Sequence, residues 1–441
     1  MRHSLLPYSL PEISYGIRQI VAKGFERERN GYPVIWENIG DPVQKGMPLP
    51  GWIKEIIARH VQDDATYGYC DSKGLPVTRE FLADQTNRLG GCKIEPDDIT
   101  FFNGLGDAIA RFYGLLSDKT RVLMPSPTYP AHTGAEKLRT GENPITYSLR
   151  PENNWFPEPS EIRSIVESSP EISAILIINP DNPTGMVYTE KLLREIVQIA
   201  RDHQLFIVAD EIYENLVYDG KMVRLSEVVG DLPAIAMKGI SKEIPWPGSR
   251  CGWLEYYNKE ADPQFNDLCE RIDLCKMTEV CSTTLPQKVI PEIKMDSRYL
   301  EFIHQRNESL SLKMNLLKNR LKWLDDVECS GGQGAFYATL NITSDFNKSD
   351  LDPDLLPDLQ QQMYRKWSEN IEGSPDLYLS YYLLAGSGVC TVPLSGFNSG
   401  HQGIRITLLE QDIDRFEYML DQLMYGLGSV FNRRSSLIQA G

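Results

Sequence analysis

Four short strings in this chain set reactive side chains among turn residues. They are Pro125-Ser126-Pro127-Thr128-Tyr129-Pro130, Asn179-Pro180-Asp181-Asn182-Pro183-Thr184-Gly185, Asp210-Glu211-Ile212-Tyr213 and Lys238-Gly239-Ile240-Ser241-Lys242, the last leading to Pro247-Gly248-Ser249-Arg250. Together they offer a carboxylate, an amide, two phenols, a lysine and an arginine. A lysine amine adds to carbonyls, a guanidinium grips an oxyanion through paired hydrogen bonds, and carboxylates and phenols hold or move protons. A fifth string, Asn103-Gly104-Leu105-Gly106-Asp107, precedes a helical pattern. A glycine-rich turn at that place cradles phosphate with free backbone amides and the helix dipole. Taken singly, each has a plainer reading: a solvated lysine, an aspartate capping a helix, a core tyrosine, a rigid proline turn.

The elements that hold these strings decide between the readings. Ile99-Thr100-Phe101-Phe102, Arg121-Val122-Leu123-Met124, Ala174-Ile175-Leu176-Ile177-Ile178, Leu205-Phe206-Ile207-Val208-Ala209 and Ala234-Ile235-Ala236-Met237 read as buried strands. Between the third and fourth, residues 189–203 place Leu192, Leu193, Ile196, Val197 and Ala200 on one helical face. Strand, helix, strand in that rhythm predicts parallel pairing and an α/β sheet. Every reactive string follows one of these strands, and ligands of open parallel sheets bind outside the carboxyl ends. Beyond about residue 300 the texture changes to a long amphipathic helix over 309–323, Gly331-Gly332-Gln333-Gly334, and a β-rich stretch over 335–342. Residues 349–359, rich in Asp and Pro, predict a surface excursion. No internal repeat is visible.

Composition narrows the function classes. The 441 residues carry 45 Lys and Arg against 61 Asp and Glu, a net charge of −16, which disfavours sequence-independent binding to nucleic acid or anionic membranes. The apolar runs are strand-length, short of the ~20 residues of a membrane-spanning helix. Met1-Arg2-His3-Ser4-Leu5-Leu6-Pro7 lacks the apolar core of a secretory signal. Eight cysteines without a Cys-x-x-Cys pair, and six scattered histidines, predict neither a disulfide scaffold nor a metal site. The expectation is a soluble, cytoplasmic protein, in which the sequons at Asn307, Asn341 and Asn347 are accidental.

In order and spacing these strings resemble the class I/II aminotransferases of the aspartate aminotransferase fold, over about residues 39–408. The resemblance implies pyridoxal 5′-phosphate as cofactor. It implies a large domain with a mostly parallel seven-stranded sheet between helices, and a smaller α+β domain. The partition expected is an N-terminal arm and part of the small domain over 1–50, the large domain over 51–308 and the small domain over 309–441. Lys242, in a Ser-Lys-x₇-Arg spacing, corresponds to the Schiff-base lysine, Ser241 to a cofactor contact and Arg250 to a phosphate ligand. Asp210 corresponds to the carboxylate that keeps the pyridine nitrogen protonated, and Tyr213 and Asn182 to the donors on the ring oxygen. Tyr129 corresponds to the aromatic stacked on the ring, and Leu105 and Gly106 to phosphate contacts. Tyr69, in a Tyr-x₄-Gly segment, reaches the neighbouring subunit's phosphate in the family, implying a homodimer; Thr283-Thr284 is a looser match to another such contact. Gly40, Asn182 and Arg405 correspond to substrate contacts, Arg405 being the carboxylate clamp. By the same resemblance, Asn182-Pro183 and Ser126-Pro127 are expected to be cis.

Three departures stand out. Gly239 occupies a position where many relatives carry a phosphate-binding serine, Glu243 sets a negative charge directly after the lysine, and Leu394 replaces a common glycine. The implied reaction is a ping-pong transfer of an amino group between an L-amino acid and a 2-oxo acid. Gly68 to Gly74, Asn154-Trp155-Phe156-Pro157 and the 389–397 segment most resemble alanine (glutamate–pyruvate) aminotransferases. No second arginine for a side-chain carboxylate is evident, Arg298 reading as a helix-surface residue. The alternatives are a lyase or decarboxylase using the same cofactor, or a non-catalytic ligand-binding protein.

Overall fold

The five apolar runs all become strands of one seven-stranded sheet in a computed structural model that describes residues 16–369 and 371–438. The Met1 to Pro7 segment lies outside the described residues. The sheet comprises β2 (Ile99–Phe102), β3 (Arg121–Ser126), β4 (Thr146–Ser148), β5 (Ile172–Ile178), β6 (Phe206–Asp210), β7 (Ala234–Gly239) and β8 (Gly252–Tyr257). Its order is β2-β8-β7-β6-β5-β3-β4. The run β7-β6-β5-β3-β4 is parallel, and β8 lies antiparallel to both β7 and β2. Successive side chains point to opposite faces, so Phe101, Ile175 and Ile207 join one core while Phe102, Leu176 and Val208 join the other. Burial on both faces is why these strands read as unbroken apolar runs rather than alternating ones.

Helix Glu190–Asp202 covers one face with Leu193, Ile196, Val197 and Ala200, and Thr189 caps it by accepting a hydrogen bond from Leu192 N. Helices Leu105–Leu115 and Pro263–Glu279 cover the other. Ile178 pairs with Asp210 and Asp210 with Met237, so the carboxyl ends of β5 and β6 stand level and β7 runs on to Gly239 beside them. That alignment fixes where the reactive loops emerge.

A second, antiparallel sheet has the order β12-β13-β10-β9, with β9 Val327–Glu328, β10 Tyr337–Ile342, β12 Val392–Pro393 and β13 Gly403–Thr407. The N-terminal segment joins it: β1 (Ile35–Trp36) pairs in parallel with β11 (Val389–Cys390). Thr407 Oγ1 donates to Glu37 Oε2 at 2.6 Å, and Lys45 pairs with Glu37 at 2.7 Å. These buried contacts carry residues 38–40 across to the edge of the large sheet.

One helix differs from expectation in its bounds. The helix expected over 309–323 runs from Tyr299 to Leu321, because its first turns turn Tyr299 and Arg306 inward and a charged residue there erases the apolar stripe. The segment 349–359 lies largely at the surface as expected, as two single turns leading into helix Asp358–Ser368, which turns Met363, Tyr364 and Trp367 inward. All eight cysteines are free thiols. Among the described residues no helix is long and apolar enough to cross a membrane, and no cluster of His, Cys, Asp and Glu could hold a metal ion.

Candidate active site

After β7 ends at Gly239 the chain turns, and Lys242 points its amine at the N-terminal segment: Nζ donates to Gly40 O at 2.9 Å and stands 5.7 Å from the Phe336 ring. Ser241 sits in the same turn. A Cβ on Gly239 would lie 2.9 Å from Cys251 O and 3.1 Å from Gly252 Cα, so the close approach of β8 accounts for glycine there. Glu243 does not bring its charge to the site as the sequence suggested. Its carboxylate is buried on the opposite side, 2.7 Å from Lys294 Nζ and accepting from Tyr299 Oη at 3.0 Å, and Asn215 also donates to it. Arg306 Nη1 donates to Lys242 O at 2.9 Å, pinning the backbone of the lysine turn from behind.

Asp210 is the last residue of β6 and is buried. No helix follows it, so the N-cap reading fails; Oδ1 instead accepts from Ile212 N at 3.1 Å. Oδ2 lies 3.2 Å from Nε2 of the buried His132, whose Nδ1 lies 3.3 Å from Tyr113 Oη. One neutral tautomer, with Nε2 donating to the carboxylate and Nδ1 accepting from the phenol, satisfies both contacts.

Tyr213, three residues past Asp210, donates its hydroxyl to Tyr337 Oη at 3.2 Å. Burial pushes its phenol well above the usual range, with the neighbouring Tyr337 next in effect. Asn182 Oδ1 accepts from Arg405 Nη1 at 3.4 Å, and Arg405 Nη2 donates to Asn38 O at 2.8 Å. The Arg405 guanidinium is sandwiched between two rings, 4.3 Å from the Tyr337 centroid and 5.1 Å from that of Phe397. The cis bonds are Ser126-Pro127, as expected, at the end of β3, and Asn179-Pro180 in the proline-rich turn after β5. Asn182-Pro183 is not cis; the cis bond falls at the motif's first proline, where β5 has just ended and the chain must turn.

The glycine-rich turn and Arg250 form a second corner. Gly104 has φ 84° and ψ 161°, a conformation nearly closed to other residues, and a Cβ there would lie 2.5 Å from Arg250 Nη2. The Arg250 guanidinium therefore lies directly over the start of helix Leu105–Leu115, its Nη2 donating to Asn103 O at 3.3 Å. The amides of Leu105 and Gly106 are in that helix's first turn, where no intrahelical carbonyl is available. Thr283 Oγ1 donates to Asn103 Oδ1 at 3.1 Å, so Thr283 meets the same turn, whereas Thr284 Oγ1 donates to Gly68 O at 3.0 Å. Beside Arg250, the buried Ser249 Oγ has no hydrogen-bond partner. Cationic side chain, first-turn amides and spare hydroxyl together suit a phosphate.

Tyr129 stands just ahead of helix Pro130–Thr140, its ring 6.4 Å from that of His132, near Asp210. Tyr69 is not brought to this site within the chain; it is 86% exposed. Arg298 is a surface residue as expected, paired with Asp296 and lying over Trp52. Sequence reading missed His132, Tyr337, Phe336 and Asn38. His132 carries no motif beyond following Tyr129 by three residues, and Tyr337 lay inside a stretch read only as strand.

The arrangement offers a lysine amine, a buried carboxylate held by an imidazole, a sandwiched guanidinium and an anion cradle along one sheet edge. The model of the family described as aminotransferase class I and II matches residues 34–422. An uncharacterised aminotransferase of Methanocaldococcus jannaschii is 45% identical over 428 residues, 96% of this chain and 98% of that protein. The glutamate–pyruvate aminotransferase AlaA of Haemophilus influenzae is 32% identical over 340 residues, 74% of this chain and 80% of that protein. Among solved structures, an alanine aminotransferase from Pyrococcus furiosus superposes with a TM-score of 0.82 at 26% identity, covering 95% of this chain and 98% of that one.

Proposed function

The chain belongs to the class I and II aminotransferases, and from that premise we propose that it moves an amino group between L-alanine or L-glutamate and a 2-oxo acid, using pyridoxal 5′-phosphate in a ping-pong reaction. Bound at this sheet edge, the cofactor supplies an aldehyde that exchanges amines and a ring that takes up electrons. The residues present fit it. Arg250, Leu105 N and Gly106 N would hold the phosphate, Asp210 the ring nitrogen, Asn182 and Tyr213 the ring oxygen, Tyr129 the ring face, and Lys242 the aldehyde carbon.

One observation carries the reading. Lys242 Nζ is anchored on Gly40 O and Arg405 Nη2 on Asn38 O, so amine and guanidinium meet on one three-residue segment. That separation suits a ligand whose own amine and carboxylate share one carbon. Arg405 orients the substrate carboxylate through charge-assisted hydrogen bonds. Lys242, once its amine is free, is the group placed to take the proton from the substrate α-carbon and to return it.

The preference for alanine or glutamate rests on the printed names of the relatives and on Arg298, which is engaged by Asp296 rather than offered to a second carboxylate. Residues 51–308 would bind the cofactor, with the small sheet and the N-terminal segment closing over it. The exposed Tyr67, Tyr69, Leu274, Met277 and Met295 suit a homodimer interface through which Tyr69 enters the neighbouring site. Free thiols suit a cytoplasmic setting. The reaction is tested by incubating the holoenzyme with L-alanine and 2-oxoglutarate. Equimolar pyruvate and glutamate support transfer, whereas release of ammonia or carbon dioxide would point to lyase or decarboxylase chemistry.

A further inference from the structure

Tyr337 is the residue on which the separate parts of the site converge. It is the first residue of β10, 3% exposed, and follows Ala335, whose φ of 55° turns the chain into the strand. Its hydroxyl accepts from Tyr213 Oη at 3.2 Å. Its ring face carries the Arg405 guanidinium at 4.3 Å. Its edge meets the N-terminal segment so closely that a Cβ on Gly40 would lie 2.2 Å from the hydroxyl. Gly40 is also the residue whose carbonyl accepts from Lys242.

We propose that Tyr337 is a positioning residue with two separable parts: its hydroxyl sets the hydrogen bond that Tyr213 offers the cofactor, and its ring face sets the guanidinium plane that Arg405 offers the substrate. The inference rests on the pyridoxal-phosphate reading above. A phenol hydroxyl has one proton and two acceptor sites. With no stronger acceptor, Tyr213 gives its proton to Tyr337. With an anionic ring oxygen before it, Tyr213 turns its proton there and Tyr337 supplies its own to the Tyr213 oxygen. A hydroxyl that accepts one hydrogen bond donates another more strongly. Tyr337 therefore stabilises the anionic ring oxygen at one remove and lowers the pH at which the bound cofactor loses its proton. The ring face acts independently, because a stacked guanidinium keeps its plane whether or not the ring bears a hydroxyl.

The test is an absorbance titration of holoenzyme reconstituted with pyridoxal phosphate, alongside steady-state kinetics with L-alanine. Tyr337→Phe should raise the midpoint pH of the cofactor's visible band by about half to one unit, the size of one neutral hydrogen bond. The same variant should leave the alanine KM within about threefold, because the ring that supports Arg405 remains. Tyr337→Leu should raise the midpoint and also raise KM by about tenfold. Gly40→Ala, which pushes on the Tyr337 hydroxyl without altering Tyr213, should move the midpoint in the same direction and serves where the leucine variant does not fold. In a Tyr213→Phe background, Tyr337→Phe should move the midpoint no further. An unchanged midpoint in Tyr337→Phe, or an additive shift in the double variant, would overturn the proposal while leaving the cofactor reading intact. A wild-type protein with no pH-dependent visible band would overturn both.

Discussion

Asp210 Oδ2 and His132 Nε2 stand 3.2 Å apart, both buried, at the end of the central strand β6. With Ile212 N on its other oxygen, the carboxylate has its hydrogen bonds arranged before any ligand arrives. Preorganised charge of this kind does its work without reorganising during reaction. Asp210→Asn keeps the shape and the Ile212 contact while removing the charge. It should lower kcat by about 10²–10³-fold, with little change in thermal midpoint. Steady-state kinetics and a melt on the same preparation check this, and a variant with near-normal kcat would remove Asp210 from the mechanism.

The aromatic sandwich around Arg405 makes lysine a poor substitute. Lys keeps the charge but loses the planar fork and its fit between Tyr337 and Phe397. Arg405→Lys should raise KM for the amino acid by about 10–100-fold, the worth of a charge-assisted hydrogen bond, with a smaller effect on kcat. Equal loss in both parameters would argue that Arg405 acts elsewhere than on the substrate carboxylate.

Gly104 tests the anion cradle. Its backbone conformation costs other residues about 1–3 kcal/mol, and an added methyl group would strike Arg250. Gly104→Ala should lower the thermal midpoint of the protein and weaken pyridoxal-phosphate binding in a fluorescence titration. Normal affinity in a folded variant would place the phosphate away from this turn.

Asp181 gives a pH signature. Burial pushes its carboxyl from 3.8 up to about 7, against hydrogen bonds from Thr184 Oγ1 at 2.6 Å and Thr184 N at 3.0 Å, and nearby Asp210 adds to the rise. Between those two pH values the folded chain keeps a proton that the unfolded chain has lost, so stability falls as pH rises through the window. Asp181→Asn lacks that dependence. Its melting midpoint relative to wild type should increase from pH 4 to pH 7 and level off above, as measured by thermal melts across the range. A difference that stayed constant, or shrank, would contradict the assigned burial effect.

How much of this was legible in the sequence depends on what each residue does in the fold. The five doubly buried strands and the helix after Thr189 were readable because apolar burial leaves a periodic trace. The antiparallel strand β8 was not. Gly252-Trp253-Leu254-Glu255 carries a glutamate inward, where it lies 3.2 Å from Lys238 Nζ and accepts from the Trp253 indole at 3.0 Å. A buried ion pair looks polar in a linear reading. The strings around Lys242, Asp210 and Asn182 were readable because their spacing matches a family, and the structure brings these residues to one edge. Tyr337 and His132 act through other side chains across the fold, at separations of 124 and 78 residues from Tyr213 and Asp210, and no local pattern encodes such contacts. Glu243 shows the opposite error: adjacency to Lys242 in the chain placed it in the site, whereas the turn sends its carboxylate to Lys294.

The central claim is that Lys242 carries the cofactor. Borohydride reduction of the protein incubated with pyridoxal phosphate, followed by proteolysis and mass spectrometry, reads the attachment point directly. The account predicts one pyridoxyl group per chain on the peptide containing Lys242, and none in Lys242→Ala. Modification at another lysine, or undiminished labelling and amino transfer in Lys242→Ala, would contradict it.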